Sequence, residues 1–113
     1  MGTKFYFSLF EIRSLVFVVP SLLSSRTKIR RFITGFLREL ERERGRLRVL
    51  EIGCGSGYLT KFLARNFKNS EFWALDIEEV IEKLGGRFPQ NVHLIRGDFR
   101  EHEGKYDFVF AQK

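Results

Sequence analysis

The sequence predicts an α/β domain built on a parallel sheet, and three observations carry that prediction. Residues 48–60, RVLEIGCGSGYLT, run from a short apolar stretch (Val49, Leu50, Ile52) through a loop holding Gly53, Gly55 and Gly57 into a segment with apolar residues at helical spacing. Further apolar runs at 72–75, 92–95 and 106–111 alternate with polar or amphipathic connections. Upstream, Ile29, Phe32, Ile33, Phe36, Leu37 and Leu40 fall on one helical stripe. Strand alternating with helix gives parallel strands joined by right-handed crossovers.

Residues 5–23 are rich in apolar side chains but are interrupted by Glu11, Arg13 and Pro20, short of the roughly 20 apolar residues a spanning helix needs. They also lack the basic start and small-residue cleavage site of a secretory signal. The stretch reads as a lid or packing segment, with an interfacial membrane segment as the alternative. The helix over 27–44 is capped by Ser24, Ser25 or Thr27 and ended by Gly45. Its outer face mixes Lys28, Arg30, Arg31, Arg38 and Arg42 with Glu39, Glu41 and Glu43. After the glycine loop, Leu59, Phe62, Leu63 and Phe67 line a second helix. A third begins at Glu78, buries Val80, Ile81 and Leu84, and stops at Gly85 and Gly86. Domain organisation follows: 1–47 is an N-terminal helical or lid segment, and 48–113 is an α/β ligand-binding domain.

At 113 residues the chain holds one domain, with globular proportions of apolar and charged residues. Its single cysteine, Cys54, excludes an internal disulfide and a cysteine-based zinc cage, and no metal site is expected. A reducing cytoplasm suits that cysteine usage. The net charge of +6 is uneven: residues 1–48 hold eleven Lys/Arg against four Glu, and residues 49–113 hold nine against ten Asp/Glu. Such a basic region suits nucleic acid, an acidic carrier protein or anionic lipid, or is a solvated helix face.

The glycine loop places backbone N–H groups at a helix start and lets a ligand approach the main chain, as a nucleotide-like molecule requires. Spacing decides which one. A dinucleotide fingerprint wants a glycine at the sixth position, where counting from Gly53 gives Tyr58 and from Gly55 gives Thr60; a phosphate loop wants Gly-Lys-Ser/Thr, which is missing. What stands is Glu51 two residues before G-x-G-x-G, with Asp76 nineteen residues after Gly57, then NVHLIRGDF ending near Asp98, then YDFVFAQ.

This series resembles the motifs of the class I S-adenosylmethionine-dependent methyltransferases, over roughly residues 48–112. The resemblance implies a Rossmann-like sandwich of order 3-2-1-4, counted from the strand before the glycine loop and truncated after the fourth, preceded by N-terminal helices. It places S-adenosyl-L-methionine in the crevice between the first and fourth strands. By the same resemblance Glu51 orients the methionine end, Gly53, Cys54, Gly55 and Gly57 form the loop, Asp76 takes the ribose hydroxyls, Asp98 takes the adenine amino group, and Ile77 and Phe99 sandwich the ring. Each has a structural alternative: Asp76 as a helix cap, Asp98 as a turn residue, Cys54 as a small packing residue, Ile77 and Phe99 as core. Asp107 reads as structural. Methyl transfer from a sulfonium needs alignment and exclusion of water more than acid–base groups, so no catalytic residue is assigned.

The stretch VLEIGCGSGYLTKFLA is most similar to the malonyl-acyl-carrier-protein O-methyltransferases of biotin synthesis. A small-molecule or carrier-protein acceptor follows. The strand at 106–111 is expected to be an unpaired edge, which implies self-association or a completing chain and little activity alone. Two readings from other classes stand beside this one: a noncatalytic module that binds the cofactor or docks on a partner, and a nucleic-acid-binding piece. The last is the weakest, because the basic face lacks interleaved aromatics in sequence.

Overall fold

Apolar residues of the central strands pack with one stripe from each of the two longer helices, although Phe32 of the expected stripe is 52% exposed. The computed structural model describes residues 15–19, 26–84 and 87–112. Its elements are β1 (Leu15–Val19), α1 (Arg26–Arg44), β2 (Arg48–Ile52), α2 (Tyr58–Asn66), β3 (Glu71–Asp76), α3 (Glu78–Lys83), β4 (Val92–Arg96), a 3-10 turn at Phe99–Glu101, and β5 (Phe108–Gln112). Every strand pair is parallel, in the order β1-β5-β2-β3-β4. The four strands from β2 onward stand in the expected order.

β1 corrects one expectation. The strand at 108–112 is no edge, because β1 pairs along it from Leu15 opposite Phe108 to Val19 opposite Gln112. Residues 15–19, LVFVV, are β-branched at three of five positions, a composition that favours an extended strand over a lid. Within the segment expected to be helical or a lid, residues 26–44 form α1 and residues 15–19 form this strand.

α1 and α2 cover one face of the sheet. Ile33 and Leu37 of α1 and Leu59, Leu63 and Ala64 of α2 bury against Val49, Phe72, Phe108 and Phe110. The rings of Phe36 and Phe108 lie 5.0 Å apart. Gly45 ends α1 as expected, its N–H donating to Glu41 O at 2.7 Å; Ser24 and Ser25 lie outside the described residues. On the opposite face Leu50, Leu75, Val109 and Tyr106 form a second core. α3 is the weak element. Val80, Ile81 and Leu84, expected to be buried, are only half-buried, since six residues make less than two turns and too narrow a stripe to seat. The expected stop at Gly85 and Gly86 lies outside the described residues.

Asp107 is structural, as expected. Its carboxylate accepts from Arg48 N at 2.8 Å and from Arg44 Nη1 at 3.0 Å, joining the start of β5 to β2. Buried Asn91 plays a comparable role below α2. Its Nδ2 shares two hydrogens among the carbonyls of Ala64 (3.1 Å), Phe67 (3.1 Å) and Ser70 (2.9 Å). Those carbonyls end the helix and its turn, where intrahelical partners run out. Replacing Asn91 by Leu is expected to take away their shared side-chain donor, with Phe67 O keeping the Ser70 N–H, and to lower stability by about 1–3 kcal/mol. Asn91→Asp, which sets an acceptor against three acceptors, should lower it further. Urea denaturation followed by circular dichroism measures both, and an unchanged midpoint would refute the capping role.

Candidate functional site

The C-terminal ends of β2, β3 and β4 converge, and the glycine loop folds across them. Gly53 N and Cys54 N both donate to Leu75 O, at 2.7 and 3.2 Å, so the loop leans from β2 toward β3. Gly55 N then donates to Asp76 Oδ2 at 2.9 Å. Gly57 N closes the turn on Cys54 O at 2.9 Å, and Lys61 N opens α2 on Gly57 O at 2.9 Å.

Asp76 joins three chain segments. Besides the glycine loop, its Oδ1 accepts from Ile77 N at 2.7 Å and its carbonyl accepts from Gly97 N at 3.0 Å, which brings in the end of β4. A carboxylate has about four lone-pair sites, so each oxygen keeps one for a further donor. Two adjacent hydroxyls match that vacancy.

Beside Asp76 opens a cleft of about 780 Å³, lined among others by Gly53, Asp76, Ile77, Asp98 and Phe99. Five of the nine residues singled out in the sequence meet there. No lining residue comes from β5, so this cleft lies over β2, β3 and β4 instead of between β2 and β5, where the strand order reverses. The lean of the loop onto Leu75 accounts for that shift. Ile77 is 53% exposed and Phe99 half-buried, leaving an apolar wall open to a planar ligand.

The other four sit beside the cleft. Gly55 is exposed, and a Cβ built on it would meet nothing within 4 Å. Gly57 has φ +77°, and a Cβ there would come within 2.7 Å of the Phe88 ring, so only glycine fits. Glu51 is buried and accepts a hydrogen bond from the Thr60 hydroxyl at the start of α2. Its carboxylate braces that helix start from beneath. Thr60 escapes a sequence reading because an isolated threonine in a helix carries no distinguishing pattern.

Asp98 is held by Arg100. The guanidinium spans both carboxylate oxygens, with Nε at 3.0 Å from each and Nη2 at 2.5 Å from Oδ2, and Arg100 N adds a bond to Oδ1 at 2.9 Å. Those bonds hold the Asp98 carboxyl down at about 2, so it is an ionised acceptor at any ordinary pH. Arg100 also lines the cleft and was not among the expected residues. Its signal is local: a donor two residues after an Asp is the spacing of an Asx turn.

Cys54 is buried, and burial together with the nearby Glu51 and Asp76 charges pushes its thiol up to about 12. A thiol so protonated is a poor nucleophile, which fits the packing role. Native protein is expected to react with an aromatic disulfide reagent at pH 8 far more slowly than protein in denaturant, and equal rates would refute the buried placement. The sign for stability follows from the raised value. The contribution is present below about 9, where the unfolded thiol titrates, and is lost as pH rises toward 12. Among the described residues no group of three or more His, Cys, Asp or Glu stands ready to hold a metal, and no helix is long and apolar enough to cross a membrane.

Sequence comparison matches residues 49–113 to the family described as Methyltransferase domain. Malonyl-[acyl-carrier protein] O-methyltransferase of Priestia megaterium is 36% identical over 67 residues, covering 56% of this chain and 24% of that protein. The same-named protein of Acetivibrio thermocellus is 39% identical over 72 residues, covering 60% and 25%. The chain thus spans about a quarter of the length of the curated relatives it matches. Among solved structures, coclaurine N-methyltransferase bound to N-methylheliamine and SAH superposes with a TM-score of 0.52 at 24% identity, over 77% of this chain and 28% of that one. That likeness is one of fold.

Proposed function

Because the chain belongs to the methyltransferase domain family, we propose that its cleft binds S-adenosyl-L-methionine and that the chain serves methyl transfer to a carboxylate acceptor. The carboxylate class rests on the malonyl-carrier-protein methyltransferases among its relatives. The observation that carries the reading is the Asp76 carboxylate, tied to the glycine loop through Gly55 N yet retaining lone pairs for a pair of ribose hydroxyls. Ile77 and Phe99 flank the place for a flat base, and Asp98, ionised at every working pH, accepts from its exocyclic amine. Gly55 leaves the backbone open to the amino-acid end of the cofactor, and Glu51 holds the loop's exit through Thr60.

The cofactor supplies a methyl group already activated on a sulfonium. The chain's own residues have only to hold and orient it and keep water out, and a carboxylate acceptor is ionised without a general base. Ile77 and Phe99 supply the apolar wall against which the base of the cofactor is held.

Calorimetric titration with S-adenosylhomocysteine is the direct test, followed by a radiolabelled methyl-transfer assay with malonyl-carrier protein. Saturable 1:1 binding is expected. Absence of binding to the folded protein would overturn the cofactor assignment, and binding without transfer would favour a noncatalytic cofactor-binding role or the need for another chain.

A further inference from the structure

Two neighbouring segments of the helical face carry cations and no acid. Residues 26–38 contain Arg26, Lys28, Arg30, Arg31 and Arg38, and residues 58–70 contain Lys61, Arg65 and Lys68. The fold sets them side by side. Arg30 Nη1 donates to the Tyr58 hydroxyl at 2.5 Å, the Arg30 guanidinium lies 4.6 Å over the Phe62 ring, and that of Arg38 lies 5.2 Å over Phe67. Phe62 of α2, and Phe67 just past its end, therefore lie beneath the arginines of α1.

This arrangement has consequences for recognition. A guanidinium resting on a ring loses rotational freedom before any ligand arrives, and the N–H groups it does not spend on local partners can still meet a phosphate. Two shallow grooves border the pair. One, of about 390 Å³, runs past Arg30, Arg31 and Gly35; the other, of about 290 Å³, runs past Tyr58, Lys61 and Arg65; Phe62 lines both. Gly35 is exposed with open space where a Cβ would stand, which keeps the first groove clear. Each groove thus pairs cations with an aromatic ring, the combination that takes phosphates on one side and an unstacked base on the other.

We propose that this surface, formed where the arginines of α1 stack on the aromatics of α2, binds single-stranded nucleic acid. An acidic protein is the competing polyanion. Stable protein contacts draw on an apolar centre with a charged rim, and in these two segments only two large apolar side chains are exposed, Phe32 and Tyr58, both of them aromatic. Glu39, Glu41 and Glu43 bound the patch at the C-terminal end of α1.

Fluorescence anisotropy with a labelled oligouridylate of about twenty residues tests the proposal, with slope of about −0.7 per neutralised phosphate expected in a log–log plot of affinity against salt. Five contacts would give a slope of roughly −3 to −4. Charge reversal at Arg31, Lys61 and Arg65 should abolish measurable binding, and the neutral set Arg31→Gln, Lys61→Gln and Arg65→Gln should flatten the slope by about 2. If the reversed protein does not fold by circular dichroism, the neutral set decides. Three results would overturn the proposal: no binding at about 50 mM salt, an unchanged slope in the folded neutral variant, or equal displacement by polyglutamate at matched charge, which would make the surface one for acidic protein.

Discussion

Asp76→Ala is expected to weaken S-adenosylhomocysteine binding by at least about 100-fold while leaving the fold in place. Two hydroxyls hydrogen-bonded to an ionised acceptor contribute about 1.5–3 kcal/mol each, and each 1.4 kcal/mol is a tenfold change in affinity. Entropy works in the same direction, because Gly55 N loses the bond that holds the loop against β3. Stability should change much less. The N–H groups of Gly55 and Ile77 lie on exposed residues and exchange one acceptor for water, so about 1 kcal/mol or less is at stake. Asp98→Ala is the internal comparison. It removes a single contact to a base amine, and in the protein without ligand that carboxylate is already engaged by Arg100, so about tenfold weakening is expected. Calorimetry on the two variants beside wild type makes the ranking. Equal losses, or a larger loss for Asp98, would remove Asp76 from the ribose position and leave it a connector of β3, β4 and the loop.

Much of this arrangement was legible in the sequence, and what escaped has a common cause. The strand, glycine loop and helix at 48–66 are read from local spacing alone, whereas Asp76 and Asp98 are singled out through the family resemblance. β1 escaped because its five residues sit inside a longer apolar stretch broken by charges, and its only described partner is β5, at the other end of the chain. The bed of aromatics under Arg30 and Arg38 escaped for the same reason, since Phe62 lies in a different helix and Phe67 just past its end. Phe88 over Gly57 and Thr60 against Glu51 are likewise meetings of separate segments. The burial expected of Val80, Ile81 and Leu84 failed differently: three apolar residues read as a core stripe, but a helix of six residues has no second turn to press them inward.

The glycine loop separates binding from folding, and two substitutions in it should have opposite signatures. At Gly55 the backbone is left-handed, with φ +56°, but a Cβ would stand in open space. Valine there costs about 1–2 kcal/mol of backbone strain, and its branched side chain then projects where the proposed cofactor meets the main chain. Gly55→Val is therefore expected to remove S-adenosylhomocysteine binding while the far-ultraviolet spectrum and a cooperative, slightly lowered melting transition persist. At Gly57 the same strain, at φ +77°, is joined by a collision: the added Cβ would lie 2.7 and 2.9 Å from two ring carbons of Phe88. Gly57→Val should lower the melting temperature sharply, with binding lost as a by-product of the fold. Phe88→Ala relieves the clash but not the strain, so Gly57→Ala should cost less stability on the Phe88→Ala background than in the wild-type chain. Thermal denaturation and calorimetry on the same preparations distinguish the two positions. If Gly55→Val unfolds the chain as readily as Gly57→Val, the loop is a strand-to-helix turn first, and its openness at Gly55 is no sign of a ligand.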